Sequence, residues 1–291
     1  MKLSVCGEEI FVSTGGRPFD PRPAGAGLDV SEQVGAVNDT PAGQVLLFIH
    51  GSGQNHLSWI LQGRFLANRG FTILAPDLPG HGYSTGAPLG SIEAMADWCV
   101  SLLDACGVTT ATVIGHSQGG LVAMEMAARY PQQVERLVLI ATALAIPVND
   151  GLLGLARNDQ PRAIEAMVSW GHGVTGHRHD ATLPGQSHLN FGRQLMAGND
   201  KTALFTDLNA CNTYENGPAA ASAITCPTCC ILAGRDRMTP LKTGRAMADA
   251  IDGARLEIIA NGGHMLPSET PDETNAALRR FLGSPTGLAN P

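Results

Sequence analysis

Three side chains that could share a proton stand far apart in this sequence: Ser117, Asp236 and His264. A serine hydroxyl is a weak nucleophile at neutral pH. It attacks a carbonyl only when a neighbouring base takes its proton, and an imidazole does so best when a carboxylate orients it. Ser117 lies in Gly115-His116-Ser117-Gln118-Gly119-Gly120, a G-x-S-x-G pattern. Side chains at 115 or 119 would crowd a sharp strand-to-helix turn, so with glycine there the hydroxyl stands clear at the strand's carboxyl end. Asp236 falls in GRDRMTP (234–240) and His264 in NGGHMLPSETP (261–271), the Ser…Asp…His chain order that accompanies such a turn. A fourth part is FIHGSGQN (48–55), whose glycines let backbone approach a ligand. The main-chain N–H groups of Ser52 and Gln118 are candidates to hold a developing negative oxygen. The positive end of the helix that follows Ser117 favours the same charge.

These residues need elements that bring them together. Continuous apolar runs recur at 45–49, 71–75, 111–115, 137–141, 229–233 and 256–260, and runs without polar alternation suit strands covered on both faces, as in a parallel sheet. The HGSG loop, Ser117, Asp236 and His264 each follow one of these runs, at the carboxyl end where open α/β sheets bind ligands. Between the runs, apolar spacings of three and four predict helices over 54–69, 91–106, 118–130, 241–252 and 271–282. In the first of these Leu57, Ile60, Leu61 and Phe65 form the expected inward face, and Thr270 before Pro271 reads as the N-cap of the last. The alternation predicts an α/β fold, a mostly parallel central sheet with helices on both faces.

Two stretches break the rhythm. Residues 14–43, rich in Gly, Pro and Ala, read as a loop after an initial antiparallel hairpin. Residues 144–222 show only short helical patterns split by Gly- and His-rich loops, too long for a plain connection. They read as an inserted helical cap that divides the core into 1–143 and 223–291. Met167, Trp170 and Phe191 are expected in the cap's apolar core, and DLNACNTY (207–214) as a packing helix. His172, His177, His179 and His188 are the cap's histidines, with Asp180 beside them. Their glycine-broken spacing gives no single helical face, so they read as loop or substrate contacts rather than metal ligands.

The totals narrow the class further. With 291 residues, 44% hydrophobic and 15% charged, the chain suits a globular protein with a large core. A net charge of −7 and no block of Lys or Arg argue against a nucleic-acid partner. No run approaches the roughly 18 apolar residues of a membrane span, so no membrane partner is expected. The first residues lack a signal-peptide pattern, and seven scattered cysteines argue against a disulfide framework, so a cytoplasmic location is expected. CPTCC (226–230) contains a C-x-x-C but no second ligand pair at zinc spacing, and it reads as buried strand. Nothing in the sequence specifies an oligomeric state.

The pieces HGSG (50–53), DLPGHGYS (77–84), GHSQGG (115–120), GRDRMTP (234–240) and GGHMLPSETP (262–271) together resemble the α/β-hydrolase superfamily, over nearly the whole chain. The resemblance implies Ser117 as nucleophile, His264 as base and then acid, and Asp236 as the residue orienting His264. It implies oxyanion donors at the Ser52 and Gln118 N–H groups, a substrate-shaping cap at 144–222, and no cofactor. Asp77 and the glycines of DLPGHGYS would form a structural turn, with His81 a residue of that turn. A serine at 117 argues against the haloalkane dehalogenases and epoxide hydrolases, which use aspartate there. Carbon–carbon bond hydrolases usually place proline where Gln54 stands and tryptophan where Met265 stands. Perhydrolases favour an aromatic residue where Ser52 stands and methionine where Gln118 stands.

The expectation is therefore a serine hydrolase of a small-molecule carboxylic ester, acting through an acyl-enzyme. Carbon–carbon bond hydrolase, lactonase, amidase and perhydrolase activities would use the same three residues. A non-catalytic ligand-binding protein on the same scaffold is the alternative from a different class.

Overall fold

The computed structural model describes residues 1–19, 44–177 and 187–283. A hairpin opens the chain, with β1 (Lys2–Val5) antiparallel to β2 (Glu8–Ser13). Then come β3 (Val45–Ile49), α1 (Ile60–Ala67), β4 (Thr72–Pro76), α2 (Ile92–Ala105), β5 (Ala111–His116), α3 (Gln118–Arg129) and β6 (Val134–Ile140). Helices α4 (Asp150–Asn158), α5 (Gln160–Gly171), α6 (Val174–His177), α7 (His188–Ala197), α8 (Ala203–Thr213) and α9 (Gly217–Ala223) follow, with no strand between them among the described residues. The chain returns through β7 (Thr228–Ala233), α10 (Leu241–Asp249), β8 (Arg255–Ile259), α11 (Leu266–Glu269) and α12 (Pro271–Leu282).

The strands form one sheet of order β1-β2-β4-β3-β5-β6-β7-β8. Pairing is parallel from β4 to β8 and antiparallel only at the β1–β2–β4 edge. The unbroken apolar runs of β3 to β7 have the reason anticipated for them, since both faces of the sheet are covered there; the run at 256–260 does not, because β8 is an edge strand that leaves Leu256 and Ile258 37% and 38% exposed. Leu47, Ile49, Val113, Leu137, Leu139 and Leu232 point into a core closed by α2, α3 and α10. Their neighbours Leu46, Phe48, Ile114, Val138, Ile140 and Ile231 point into a second core closed by α1 and α12. Cys230 belongs to the first face and Cys229 to the second, so the CPTCC cysteines serve as strand core, and burial pushes the Cys229 thiol up to about 12.

Helices α4, α5, α7 and α8 share a third apolar cluster built on Ile164, Met167, Val168, Leu195 and Leu204. The end of α8 and α9 pack instead into the first core, through Ala210, Cys211, Tyr214, Ala220 and Ala221. No helix among the described residues is long and apolar enough to cross a membrane.

Four local expectations are corrected. Residues 54–69 hold a 3-10 turn (His56–Trp59), capped by the Asn55 side chain, before α1 begins. That turn rotates the buried face of α1 onto Gln62, Gly63, Leu66 and Ala67, and leaves Ile60 41% exposed. Gln62 is tolerated inside because its Nε2 donates to Pro267 O at 2.9 Å. Trp170 does not join the cap's apolar cluster; it is 59% exposed, because the inward stripe of α5 runs through Ala163, Ile164, Met167, Val168 and Gly171. Met167 is buried and Phe191 packs against the cluster as expected. Thr270 precedes α12, yet its hydroxyl donates back to Leu266 O in α11 at 3.3 Å rather than capping α12. Finally, DLNACNTY is helix through Thr213, but it does more than pack.

Candidate active site

The turn between β5 and α3 places Ser117 at φ +55°, ψ −119°. A non-glycine residue in this region carries backbone strain of roughly 1–3 kcal/mol and persists only where its surroundings hold it. Ser117 N–H donates to Ile140 O at 2.9 Å, and Ser117 O accepts from Thr142 Oγ1 at 2.8 Å and from Gly120 N–H at 2.9 Å. The flanking glycines are steric requirements. A Cβ at 115 would run into the Gly119 carbonyl, and one at 119 into the Ile49 carbonyl of β3. The Ser117 turn therefore packs backbone to backbone against the strand that leads into the HGSG loop.

Asp236 follows β7, and its carboxylate meets four donors. Oδ1 accepts from Met238 N–H (2.7 Å) and Thr239 N–H (2.8 Å); Oδ2 accepts from Thr239 Oγ1 (2.8 Å) and His264 Nδ1 (2.8 Å). Burial alone would raise this carboxyl. The adjacent His264, through its charge and hydrogen bond, together with the Thr239 donors, instead holds it below the usual carboxylate range. With Nδ1–H committed to Asp236, Nε2 is the atom of His264 that can accept a proton. The loop carrying His264 is tied to the serine's own neighbour, since His116 Nε2 donates to His264 O at 2.8 Å. Ser117, Asp236 and His264, separated by up to 147 positions, thus stand at the carboxyl ends of β5, β7 and β8.

The HGSG loop lies against the same turn, for a Cβ on Gly51 would stand 3.2 Å from Ser117 Cβ. His50 sets the direction of the Ser52 N–H. Its Nε2 accepts from Leu78 N–H at 3.2 Å, so Nδ1 carries the proton and donates to Gly51 O at 3.0 Å. Gln54 N–H donates to the same oxygen at 3.0 Å. Carbonyl and N–H point opposite ways across a trans peptide, so pinning Gly51 O aims Ser52 N–H the other way. Gln118 opens α3, and the first N–H groups of a helix have no intrahelical acceptor. Its side-chain Nε2 donates to Asp207 O at 3.1 Å.

Asp77 behaves as the turn residue that the DLPGHGYS segment implied, accepting from His56 N–H, His56 Nδ1 and Tyr83 N–H at 2.7–2.9 Å. His81 does not stay within its turn; its Nε2 meets Asp207 Oδ2 of α8 at 3.0 Å. Gln54 and Met265 touch, with Gln54 Nε2 on Met265 Sδ at 3.3 Å. With Ser58, His172, Phe191 and Leu195 they line an apolar pocket between α7 and the core.

Among the cap histidines, His172 Nδ1 donates to Val168 O (2.9 Å) and His177 Nε2 to Ser169 O (3.0 Å). The His172 and His188 rings lie 6.3 Å apart. His179 and Asp180 lie outside the described residues. Among the described residues no three His, Cys, Asp or Glu side chains group as metal ligands.

Sequence reasoning missed Thr239, His50, Asn199 and Asp207. Thr239, three residues after Asp236, had a local signal, since an Asp commonly accepts from N–H groups two and three residues on. His50 stood in the HGSG segment already singled out, without a sign of its contact to Leu78; Asn199 and Asp207 had no signal.

Buried histidines make stability depend on pH. Burial, reinforced by His81, pushes His50 from 6.5 down to about 4; burial, with His264 adding to it, pushes His116 to about 3; burial pushes His172 to about 4. Between about pH 6.5 and 4 the unfolded chain therefore binds more protons than the folded one, and stability falls as pH falls. Each unit of displacement is worth about 1.4 kcal/mol. His81 has the opposite sign: burial lowers it, but the charge and hydrogen bond of Asp207 outweigh burial and raise it, so its contribution is lost as pH rises through its raised value. Three groups against one predict a net loss on the order of 3 kcal/mol or more between pH 7 and 4. Urea unfolding at pH 7 and 4.5 checks it, and His172→Gln should flatten the slope. An unchanged midpoint would mean these rings charge as easily folded as unfolded.

The sequence pattern of the Alpha/beta hydrolase family matches residues 46–277. An uncharacterised protein of Mycobacterium tuberculosis is 29% identical over 272 residues, covering 83% of this chain and 76% of that one. The 2-hydroxymuconate semialdehyde hydrolase of Pseudomonas sp. (strain CF600) is 26% identical over 269 residues, covering 87% and 92%. In solved structures, the enol-lactonase from Burkholderia xenovorans LB400 shares the fold, with a TM-score of 0.80 at 22% identity over 98% of this chain and 100% of that one. With its mostly parallel eight-stranded sheet and a family match across most of its length, the chain belongs to the alpha/beta hydrolase family.

Proposed function

We propose that this protein is a serine hydrolase that cleaves a small-molecule carboxylic ester through an acyl-enzyme. The observation that carries the reading is the fully donated Asp236 carboxylate holding His264 by Nδ1, in a loop bound to the residue before Ser117. Ser117 Oγ attacks the ester carbon while its proton passes to His264 Nε2, and the carbonyl electrons move onto the oxygen. The N–H groups of Ser52 and Gln118 hold that oxygen; a donor of this kind is worth about 2.7–4 kcal/mol of transition-state stabilisation. Collapse expels the alkoxide, which takes the proton from His264 and leaves as alcohol. Water then repeats the sequence on the acyl-enzyme, releasing the carboxylic acid and restoring Ser117. No cofactor takes part in these steps.

A p-nitrophenyl ester series from acetate to octanoate tests the reading, together with labelling by a fluorophosphonate. The expected result is turnover that peaks at one chain length, and label on Ser117. No turnover on any ester and no label would overturn it. A second reading, carbon–carbon bond hydrolysis, is favoured by the semialdehyde hydrolase relative. It is opposed by the Gln54–Met265 pair, which stands where that class usually has proline and tryptophan. Label on Ser117 with cleavage of a dienone acid, and none of esters, would favour this second reading.

A further inference from the structure

We propose that cap segment 199–207 is the positioning element of the oxyanion site, with Asn199 and Asp207 gripping the HGSG loop and the Gln118 side chain from above. This rests on the serine-hydrolase reading given above. Asp207 Oδ2 accepts from Gly53 N–H at 2.7 Å, and Asn199 Nδ2 donates to Gly53 O at 2.6 Å and Gln54 O at 3.1 Å. Both peptide groups of Gly53 are therefore held by the cap. The loop also has nowhere to relax: Gly53 sits at φ +66°, and a Cβ there would stand 2.8 Å from Leu204 Cδ1 of α8. The residue that carries the other proposed donor is anchored to the same helix through its side chain, since Asp207 O accepts from Gln118 Nε2 at 3.1 Å. Asn199 Oδ1 accepts from Gly82 N–H (2.9 Å), and Asp200 N–H donates to Gly80 O (2.9 Å). The segment thus spans the HGSG loop, the DLPGHGYS turn and the start of α3.

The choice of an aspartate at 207 needs a reason, because it is wholly buried and a buried ion pair is a poor source of stability; an apolar replacement often does as well. His81 gives part of the answer. Its Nδ1 meets Pro79 O and its Nε2 meets Asp207 Oδ2, both at 3.0 Å. Two acceptors need two N–H donors, so the ring is an imidazolium and cancels the carboxylate's charge. A lone carboxylate beside the oxyanion donors would oppose the negative charge that forms there; the neutralised pair supplies an acceptor for Gly53 without that cost. The pair thus orients the loop while leaving the field at the reacting oxygen favourable.

The test compares wild type with Asn199→Ala and Asp207→Asn on the preferred p-nitrophenyl ester, with rates expressed per fluorophosphonate-titrated site. The second readout is affinity for the matching trifluoromethyl ketone. Ser117 Oγ adds to that carbonyl, its proton goes to His264, and the carbonyl oxygen becomes the charged oxygen that the loop must hold. Misplaced donors should lower kcat by roughly tenfold to a hundredfold, leave KM nearly unchanged, and weaken the ketone by the same factor. A merely structural role would lower the active fraction and Tm while leaving kcat per titrated site and ketone affinity as in wild type. That result in Asn199→Ala would overturn the proposal, and this variant decides alone if Asp207→Asn fails to fold, since it buries no charge. A wild type that is neither active nor labelled would overturn the serine-hydrolase reading and this one together. An active, labelled wild type with an equally competent Asn199→Ala would remove the positioning role only.

Discussion

Ser117→Ala is expected to abolish ester turnover, with kcat falling by about 10⁶, the size of loss seen when a serine nucleophile is removed from subtilisin. The magnitude follows from the parts left behind. Alanine keeps the donors of Ser52 and Gln118 and the His264–Asp236 pair, but no atom remains to form the acyl bond. What survives is water attack assisted by bound donors, a residual factor of about 10³–10⁴ over uncatalysed hydrolysis. The fold should not suffer, because the turn is held by the backbone of residue 117, through Ile140, Thr142 and Gly120. Alanine also bears the left-handed φ of +55° no worse than serine does. Steady-state rates on the preferred p-nitrophenyl ester, with Tm beside them, make the comparison. Turnover above about 1% of wild type with the fold intact would place the nucleophile elsewhere.

Asp236→Asn is expected to lower kcat by about 10⁴, as loss of the orienting carboxylate does in a serine protease. Here the hydrogen bonds say why. Met238 N–H and Thr239 N–H both point at Oδ1, so an asparagine must turn its oxygen toward them and its NH₂ toward His264. An NH₂ facing Nδ1 makes that nitrogen the acceptor and moves the ring proton to Nε2. The base is then occupied by the proton it should collect. Thr239 Oγ1, at 2.8 Å from Oδ2, can rotate to accept and so adapts to the exchange. Active-site titration with kcat measures the loss, and imidazole ¹⁵N shifts report which nitrogen carries the proton. A loss under about tenfold, or a ring still protonated on Nδ1, would show that Asp236 does not set the tautomer.

Much of the molecule was legible because its signals are local. The unbroken runs in β3, β5, β6 and β7 reflect two covered faces, and each run carries that information within five or six residues. The Ser117 turn is written in Gly115 and Gly119, whose lack of a side chain is demanded by backbone a few residues away and by β3. Asp236 and His264 could be found because each directly follows a strand, and a parallel sheet places all such strand ends on one side. The single inward face expected over 54–69 failed for an equally local reason. A capped 3-10 turn changed the phase of α1, and a periodicity argument assumes one constant phase.

Tertiary structure alone decided how the HGSG loop is held. Gly53 and Asp207 are 154 positions apart, and His81 and Asp207 are 126 apart. No pattern in either segment announces the other, because a buried carboxylate and a buried imidazole look like surface residues until their partners are known. Exposure of Trp170 belongs to the same class, set by which stripe of α5 met α7. The sequence by itself determined the sheet, the turn at Ser117 and the placing of Asp236 and His264 beyond strand ends, since strand burial, glycine sterics and strand-end position act over a few residues. Which polar groups satisfy one another between cap and core was decided only by folding, since a buried hydrogen bond depends on two segments arriving together.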